Sequence, residues 1–230
     1  MNELEVQTVI SLPLVCTRGV IVFPSQDIII DVGREKSIQA IEEAQQHHDG
    51  NVVLVAQRDL SMEEPKVNEL YSFGSLCKIK HIRRMDGFLR VKFHGLERVE
   101  ITEFADDDTM MSVRAVICED IEQDTMEEMA LIRKLAKQFE QIEAISQAIP
   151  KEMINELAKG MSAKQLCDQI AQIFPFSLEK RQELLETLGI NDRLYLILQE
   201  IESERELSEI ENMINEKVKT RIEEGQKEYY

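Results

Sequence analysis

Residues Arg18 to Ala44 read RGVIVFPSQDIIIDVGREKSIQAIEEA, and the punctuation of this stretch decides how the chain folds. It holds two β-branched runs, Val20–Phe23 and Ile28–Val32, separated by Pro24-Ser25-Gln26-Asp27. Proline has no N–H to give a ladder, so the chain must leave a sheet at Pro24. After Gly33 the period changes: Ile38, Ile41 and Ala44 recur every three residues, which predicts a helix with one apolar face. The plan is strand, break, strand, glycine, helix, and the residues up to about Ile117 read as strands that complete the same sheet.

Upstream, Val9–Val15 is an apolar segment in which Pro13 marks an edge strand or a bulge. Downstream, Val52–Ala56 is short and continuously apolar, as a buried strand is, and the polar Gln57–Ser72 reads as a long surface loop. Ser75–Met85 leads into Asp86-Gly87, a pair that favours a type I′ turn. On the return, Leu89, Val91 and Phe93 alternate with Arg90, Lys92 and His94. Ile79 and Ile82 stand three apart, which predicts a β-bulge near Lys80-His81. Met111, Val113, Ala115 and Ile117 form a last alternating strand. Many short strands with one early helix predict a small, strongly curved sheet or pseudobarrel.

The composition shifts at Cys118, where β-formers give way to Glu, Lys, Leu, Ile and Gln. Thr125–Glu128 fits a capping box ahead of an apolar face at Met129, Ile132, Leu135, Phe139 and Ile142. Pro150 and Gly160 suit the two ends of a short helix, Ser162–Gln165 is a second capping box, Ser177 opens a further helix and Gly189 closes it. Asn191 is read as the cap of a final helix over Asp192–Glu224. Its first apolar residues suit packing on the bundle. Beyond Ser203 the surface is nearly all charge, relieved by Leu207, Ile210, Ile214, Val218 and Ile222, a stripe that this chain alone does not bury. These five are the self-association candidates; a rigid spacer is the other reading. The predicted class is α+β, with residues 1–118 a β-domain, 119–190 a helical subdomain and 191–230 a long helix.

With 44 acidic against 27 basic residues the formal charge is −17, a surface that repels a phosphate backbone. Lys78, Lys80, Arg83, Arg84, Arg90 and Lys92 make a local basic face, but no aromatic is interleaved there to stack a base. Cys16, Cys77, Cys118 and Cys167 lie far apart without a C-x-x-C pair, which favours reduced thiols over a disulfide framework or zinc site. The start lacks a signal-peptide pattern and no apolar run reaches a membrane span, so a cytoplasmic protein without membrane contact is expected. Phosphate-loop, dinucleotide, nucleophile-elbow and H-E-x-x-H patterns are missing, and no catalytic, cofactor or metal residue is assigned.

The positive feature is apolar material at turns: Phe23-Pro24 at a strand end, Met85 and Phe88 at the hairpin tip, and Met110-Met111 after an aspartate triplet. Such residues either fold back into the core or, left exposed, make a tolerant surface for unfolded polypeptide. The six are the substrate-contact candidates.

RGVIVFP (Arg18–Pro24), VGREKSI (Val32–Ile38), LVAQRD (Leu54–Asp59) and GFLRVKFHGLERVEI (Gly87–Ile101) resemble the N-terminal domain of the ATP-dependent Lon protease family. KRQELLETLGINDRL (Lys180–Leu194) and VKTRIEEGQKEYY (Val218–Tyr230) resemble that family's sequence just before its ATPase module. Where the family has a second Pro-Leu pair before the arginine, this chain has Cys16-Thr17. The resemblance implies a PUA-like β pseudobarrel, a helical bundle and a long C-terminal helix. It further implies that the chain is cut before an AAA+ module using ATP and magnesium and a serine peptidase with a Ser-Lys dyad. Implied too are capture of misfolded, damaged and short-lived regulatory proteins and assembly into a hexamer. A stand-alone PUA-like module for RNA or a small ligand is the alternative.

Overall fold

The computed structural model describes residues 8–141 and 161–227. The expected ends at Pro150 and Gly160, and Ile142, fall outside them. Six strands come first: β1 (Val9–Thr17), β2 (Asp27–Val32), β3 (Asn51–Ala56), β4 (Phe73–Arg84), β5 (Leu89–Asp106) and β6 (Met111–Cys118). Helix α1 (Glu35–His47) lies between β2 and β3. Helices α2 (Thr125–Gln141), α3 (Ala163–Ile173), α4 (Leu178–Glu186) and α5 (Ile190–Lys227) follow.

The sheet order is β2-β5-β4-β3-β1-β6, and β6 also pairs with β5. Strands β5, β4, β3, β1 and β6 therefore close into a ring, with β2 attached outside it. Closure is possible because β5 changes partner along one edge, pairing with β2 at Leu89–His94 and with β6 at Arg98–Asp106. Register shifts at Ile79/His81, as the sequence predicts, and also at Leu76/Cys77 and Ile101/Glu103, bend the long strands round the ring.

The two faces of the sheet feed different cores, as a period of two requires. Leu14, Val53 and Val55 enter one cluster with Val99, Val113 and Ala115. Val15, Val52 and Leu54 enter another with Val91, Phe93 and the α1 residues Ala40, Ile41 and Ala44. Pro13 lies in the part of β1 that, among the described residues, pairs with β6 alone, so it stands at a local edge as the sequence predicts although β1 as a whole is paired on both sides. The Ile117 N–H donates to Thr8 O, so even-numbered β1 residues bond β6 and Pro13 faces the other way. On that side pairing with β3 begins only at Leu14, so the missing N–H breaks no bond.

Val20–Phe23 is not a strand but an extended segment, buried over Ile21–Phe23. Side chains replace a ladder: Thr17 Oγ1 donates to Val20 O (2.5 Å), Ser75 Oγ to Val22 O, and the Phe23 N–H to Gln26 Oε1 (2.9 Å). Its alternation links two cores, with Val22 in the α1 cluster and Ile21 and Phe23 among the helices. The β4–β5 loop is not type I′, because Gly87 (φ 83°) has a left-handed backbone and Asp86 does not.

Helix starts also differ from the sequence reading. Asp124, not Thr125, caps α2, its Oδ1 accepting from the Glu127 N–H at 2.9 Å. Ser162 and Ser177 cap α3 and α4 as predicted. At α5 the cap is supplied from a distance, Gln123 Oε1 accepting from the N–H groups of Asn191 (2.9 Å) and Asp192 (3.2 Å). Helix α4 stops at Glu186 rather than at Gly189, and α5 runs on through Gly225.

Candidate functional site

The six turn-borne candidates separate by burial. Phe23, Pro24 and Met111 lie inside, which corrects their reading as surface contacts. Phe23 sits among Leu166, Phe174 and Leu185 in the helical cluster, because the extended segment points alternate side chains to opposite sides. Met111 fills the ring cluster, and its sulfur accepts a contact from the Cys16 thiol at 3.6 Å. Met85 is 36% exposed, and Phe88 and Met110 are half-buried. The Arg90 guanidinium lies 5.7 Å from the Phe88 ring centroid, so this hairpin tip is part apolar and part cationic.

On the same hairpin most of the basic face is already neutralised. Arg90 makes a two-pronged contact with Asp31 (both 2.7 Å), Lys92 meets Asp27 (2.8 Å), Arg84 meets Glu42 (2.6 Å) and Lys78 meets Asp49 (2.6 Å). Lys92 and His94 hold the Asp27 carboxyl below its usual range, and Arg90 does so for Asp31. Four of the six cations needed for a phosphate track are thereby occupied, so nucleic acid is not favoured. Beside the start of α1 a cleft of about 660 Å³ is lined by Cys16, Arg34, Lys36, Glu64 and Asp106. Two of its cations are engaged, Arg34 donating to Glu63 O (2.7 Å) and Lys36 to Asp106 (2.5 Å).

Besides the apolar cluster that Ile21, Phe23 and Ala56 share with the helices, a buried ion network that no sequence motif announces joins ring to bundle. Arg98 on β5 and Arg193 on α5 are each 1% exposed, and Asp168 on α3 is 4% exposed. Arg98 donates to Asp168 through Nη1 (3.3 Å) and Nη2, and through Nε to the Leu185 carbonyl at the end of α4 (3.1 Å). Arg193 Nη1 reaches the same carboxylate at 3.2 Å. Asp120, in the link after β6, contacts Arg98 (3.4 Å), Arg193 and Lys164 (2.6 Å). The readable signal was an acid set among Leu166, Cys167, Ile170 and Ala171 on the buried face of α3. Its partner seventy residues away was not readable.

Burial alone would raise the Asp120 pKa, but Arg98, Lys164 and Arg193 outweigh it and hold the carboxyl below 3.8. A lowered carboxyl contributes stability that is present above the unfolded-state value and lost as pH falls through the folded one. The urea midpoint should therefore hold from neutral pH down to about 5 and fall below about 4. Exposed carboxylates such as Asp27 are held low as well, so the Asp120 share is the difference between the native chain and Asp120→Asn. Identical acid profiles for the two would refute it.

The five self-association candidates lie along α5, between 48% and 56% exposed, with Met213 beside them at 53%. Among the described residues no helix is long and apolar enough to cross a membrane.

A closed strand ring clamped by buried ions to a helical bundle, with one helix of 38 residues, defines an α+β class with a single chain-spanning plan. The profile of the ATP-dependent protease La (LON) substrate-binding domain matches residues 11–203, and the chain belongs to that family. It is similar to the Lon protease of Bacillus thuringiensis (36% identical over 95% of this chain) and to that of Escherichia coli K12 (35% over 96%). It spans 28% of the length of each of these relatives. In structure it resembles the N-terminal domain of the Mycobacterium avium complex Lon protease. The TM-score is 0.65 at 19% identity, covering 84% of this chain and 98% of that one. It also resembles a Lon N-terminal domain protein from Xanthomonas campestris (TM-score 0.58, 16% identity, covering 83% and 98%).

Proposed function

We propose that this chain is the non-catalytic part of an ATP-dependent Lon-type serine protease that captures misfolded, damaged and short-lived proteins. The observation that carries the reading is the match of the substrate-binding family over residues 11–203. The exposed and half-buried apolar residues Met85, Phe88 and Met110 support it, since flexible methionines and aromatics accept many sequences. In this reading residues 1–118, 119–190 and 191–230 are the three units, and ATP, magnesium and the Ser-Lys dyad belong to other parts of a cytoplasmic parent. Photo-crosslinkers placed at Met85, Phe88 and Met110 should capture a chemically denatured protein and spare its folded form. The chain should slow that protein's aggregation without cleaving it or hydrolysing ATP. Equal crosslinking to the folded form, or peptidase activity in the pure chain, would end this reading.

A second reading is favoured by the α5 row: it pairs with another copy and contributes to a hexameric parent. Burying such side chains is worth about 1.5–3 kcal/mol each, enough for association at modest concentration. Sedimentation should show a mass that rises with concentration, and Ile214→Glu should abolish the rise. A strict monomer at high concentration leaves the helix as a spacer.

A further inference from the structure

Strand β2 ends the sheet. It pairs with β5 along Asp27–Val32, and among the described residues no strand lies against its other edge. The ladder fixes which groups face that edge. In an antiparallel pair, alternate residues exchange both bonds and those between point theirs away. The Met85 N–H donates to Phe88 O (2.9 Å), so in the unbroken register that follows Arg90 and Lys92 bond β4. Leu89, Val91 and Phe93 are left to bond Val32, Ile30 and Ile28. At the other end the Gly95 N–H donates to Gln26 O (2.8 Å), which gives the same parity independently. The N–H and C=O groups of Asp27, Ile29 and Asp31 therefore point out of the sheet with no partner among the described residues.

Ile29, in the middle of this row, is 62% exposed. On the opposite face Ile28 and Ile30 are half-buried on the α1 cluster, which also carries Val20, Ile38 and Met110 as partly exposed members. From this arrangement we infer that the free edge of β2 takes up an extended segment of a client polypeptide as an added strand. The inference rests on the substrate-capture reading and specifies how capture occurs. Backbone hydrogen bonds provide the hold whatever the client sequence, and alternate side chains meet Ile29 on one face and Ile28 and Ile30 on the other.

Charge decides against a second copy as occupant. Centred on Ile29, antiparallel self-pairing would set Asp27 opposite Asp31 at both ends, and like charges directly opposite destabilise a strand pair. In-register parallel pairing stacks aspartate on aspartate as well. The fitting occupant carries an apolar residue against Ile29 and uncharged or basic residues two positions to either side.

The test is amide exchange in the full chain with two probes, a reduced and carboxymethylated protein held unfolded, and a short synthetic peptide alternating valine with lysine and threonine. The amides of Asp27, Ile29 and Asp31 should slow about tenfold or more at saturation, because exchange then requires the added strand to open. Proline is tolerated on an edge strand where its N–H would face out, so Ile29→Pro should fold and bind both probes about tenfold more weakly. Ile29→Thr keeps the amide and should change affinity less than about threefold. If the unfolded protein binds while these amides stay fast, or if Ile29→Pro binds as well as the native chain, the inference fails and the capture reading survives. If neither probe binds the native chain, both fail. Should Ile29→Pro not fold by circular dichroism, the amide result on the native chain decides alone.

Discussion

Asp168→Ala should lower the stability of the chain by about 3–5 kcal/mol, read from urea unfolding followed by circular dichroism. Asp168 accepts from both Arg98 and Arg193, each almost fully buried. Removing the carboxylate leaves Arg98 with the Leu185 carbonyl and one contact to Asp120 at 3.4 Å, so a buried cation loses most of its compensation. That penalty, rather than the lost attraction, makes the effect large. Arg98→Met combined with Asp168→Leu should therefore be less damaging than Asp168→Ala. It removes charge from both sides while Arg193 keeps Asp120. A double variant as unstable as the two single losses added together would show the sites uncoupled and refute this account. A loss below about 1 kcal/mol for Asp168→Ala would do the same, since that is the range of an exposed pair.

Gly95→Ala should cost about 1–3 kcal/mol or more by overpacking, although it adds a single methyl group. Gly95 lies where β5 leaves β2 and before it meets β6, with the Phe23–Gln26 turn pressed against it. The turn is tied on both sides, Ser25 N–H donating to Gly95 O (2.9 Å) and Gly95 N–H to Gln26 O (2.8 Å). A Cβ at 95 would collide with the Phe23 carbonyl oxygen and come within 3.0 Å of its carbon and 3.3 Å of Val22 Cγ1. The obstacle is backbone and cannot rotate aside. Gly33→Ala provides the contrast: its Cβ would meet only Phe88 Cβ at 3.8 Å, an ordinary contact, and stability should change by less than about 0.5 kcal/mol. Equal costs at the two positions would show that close approach at Gly95 is not what the glycine serves.

Local periodicity and punctuation made much of the architecture readable. The alternation of Leu89, Val91 and Phe93, the spacing of Ile79 and Ile82, and the Ile38–Ile41–Ala44 stripe each reflect a side chain's relation to its own near neighbours, which the chain order preserves. The α+β class and the serine caps at 162 and 177 follow from the same short-range physics. Val20–Phe23 shows the limit: its composition is that of a strand, but among the described residues no strand pairs with it, and three side chains satisfy its backbone instead. The cap of α5 shows it again, since Asn191 has the right chemistry and Gln123, from the distant link before α2, does the capping.

For the candidate surface the order of residues told which side chains stand at turns, and nothing about which way they face. Phe23 and Met111 turn inward because neighbouring elements put a core there, while Met85 at the hairpin tip joins none of the core clusters of described residues. The family, the lack of catalytic patterns and the acidic surface were settled by residue identity alone. The buried charge network, the closure of the ring and the open edge of β2 were decided by tertiary structure, because each depends on groups far apart in sequence meeting, or failing to meet, in space.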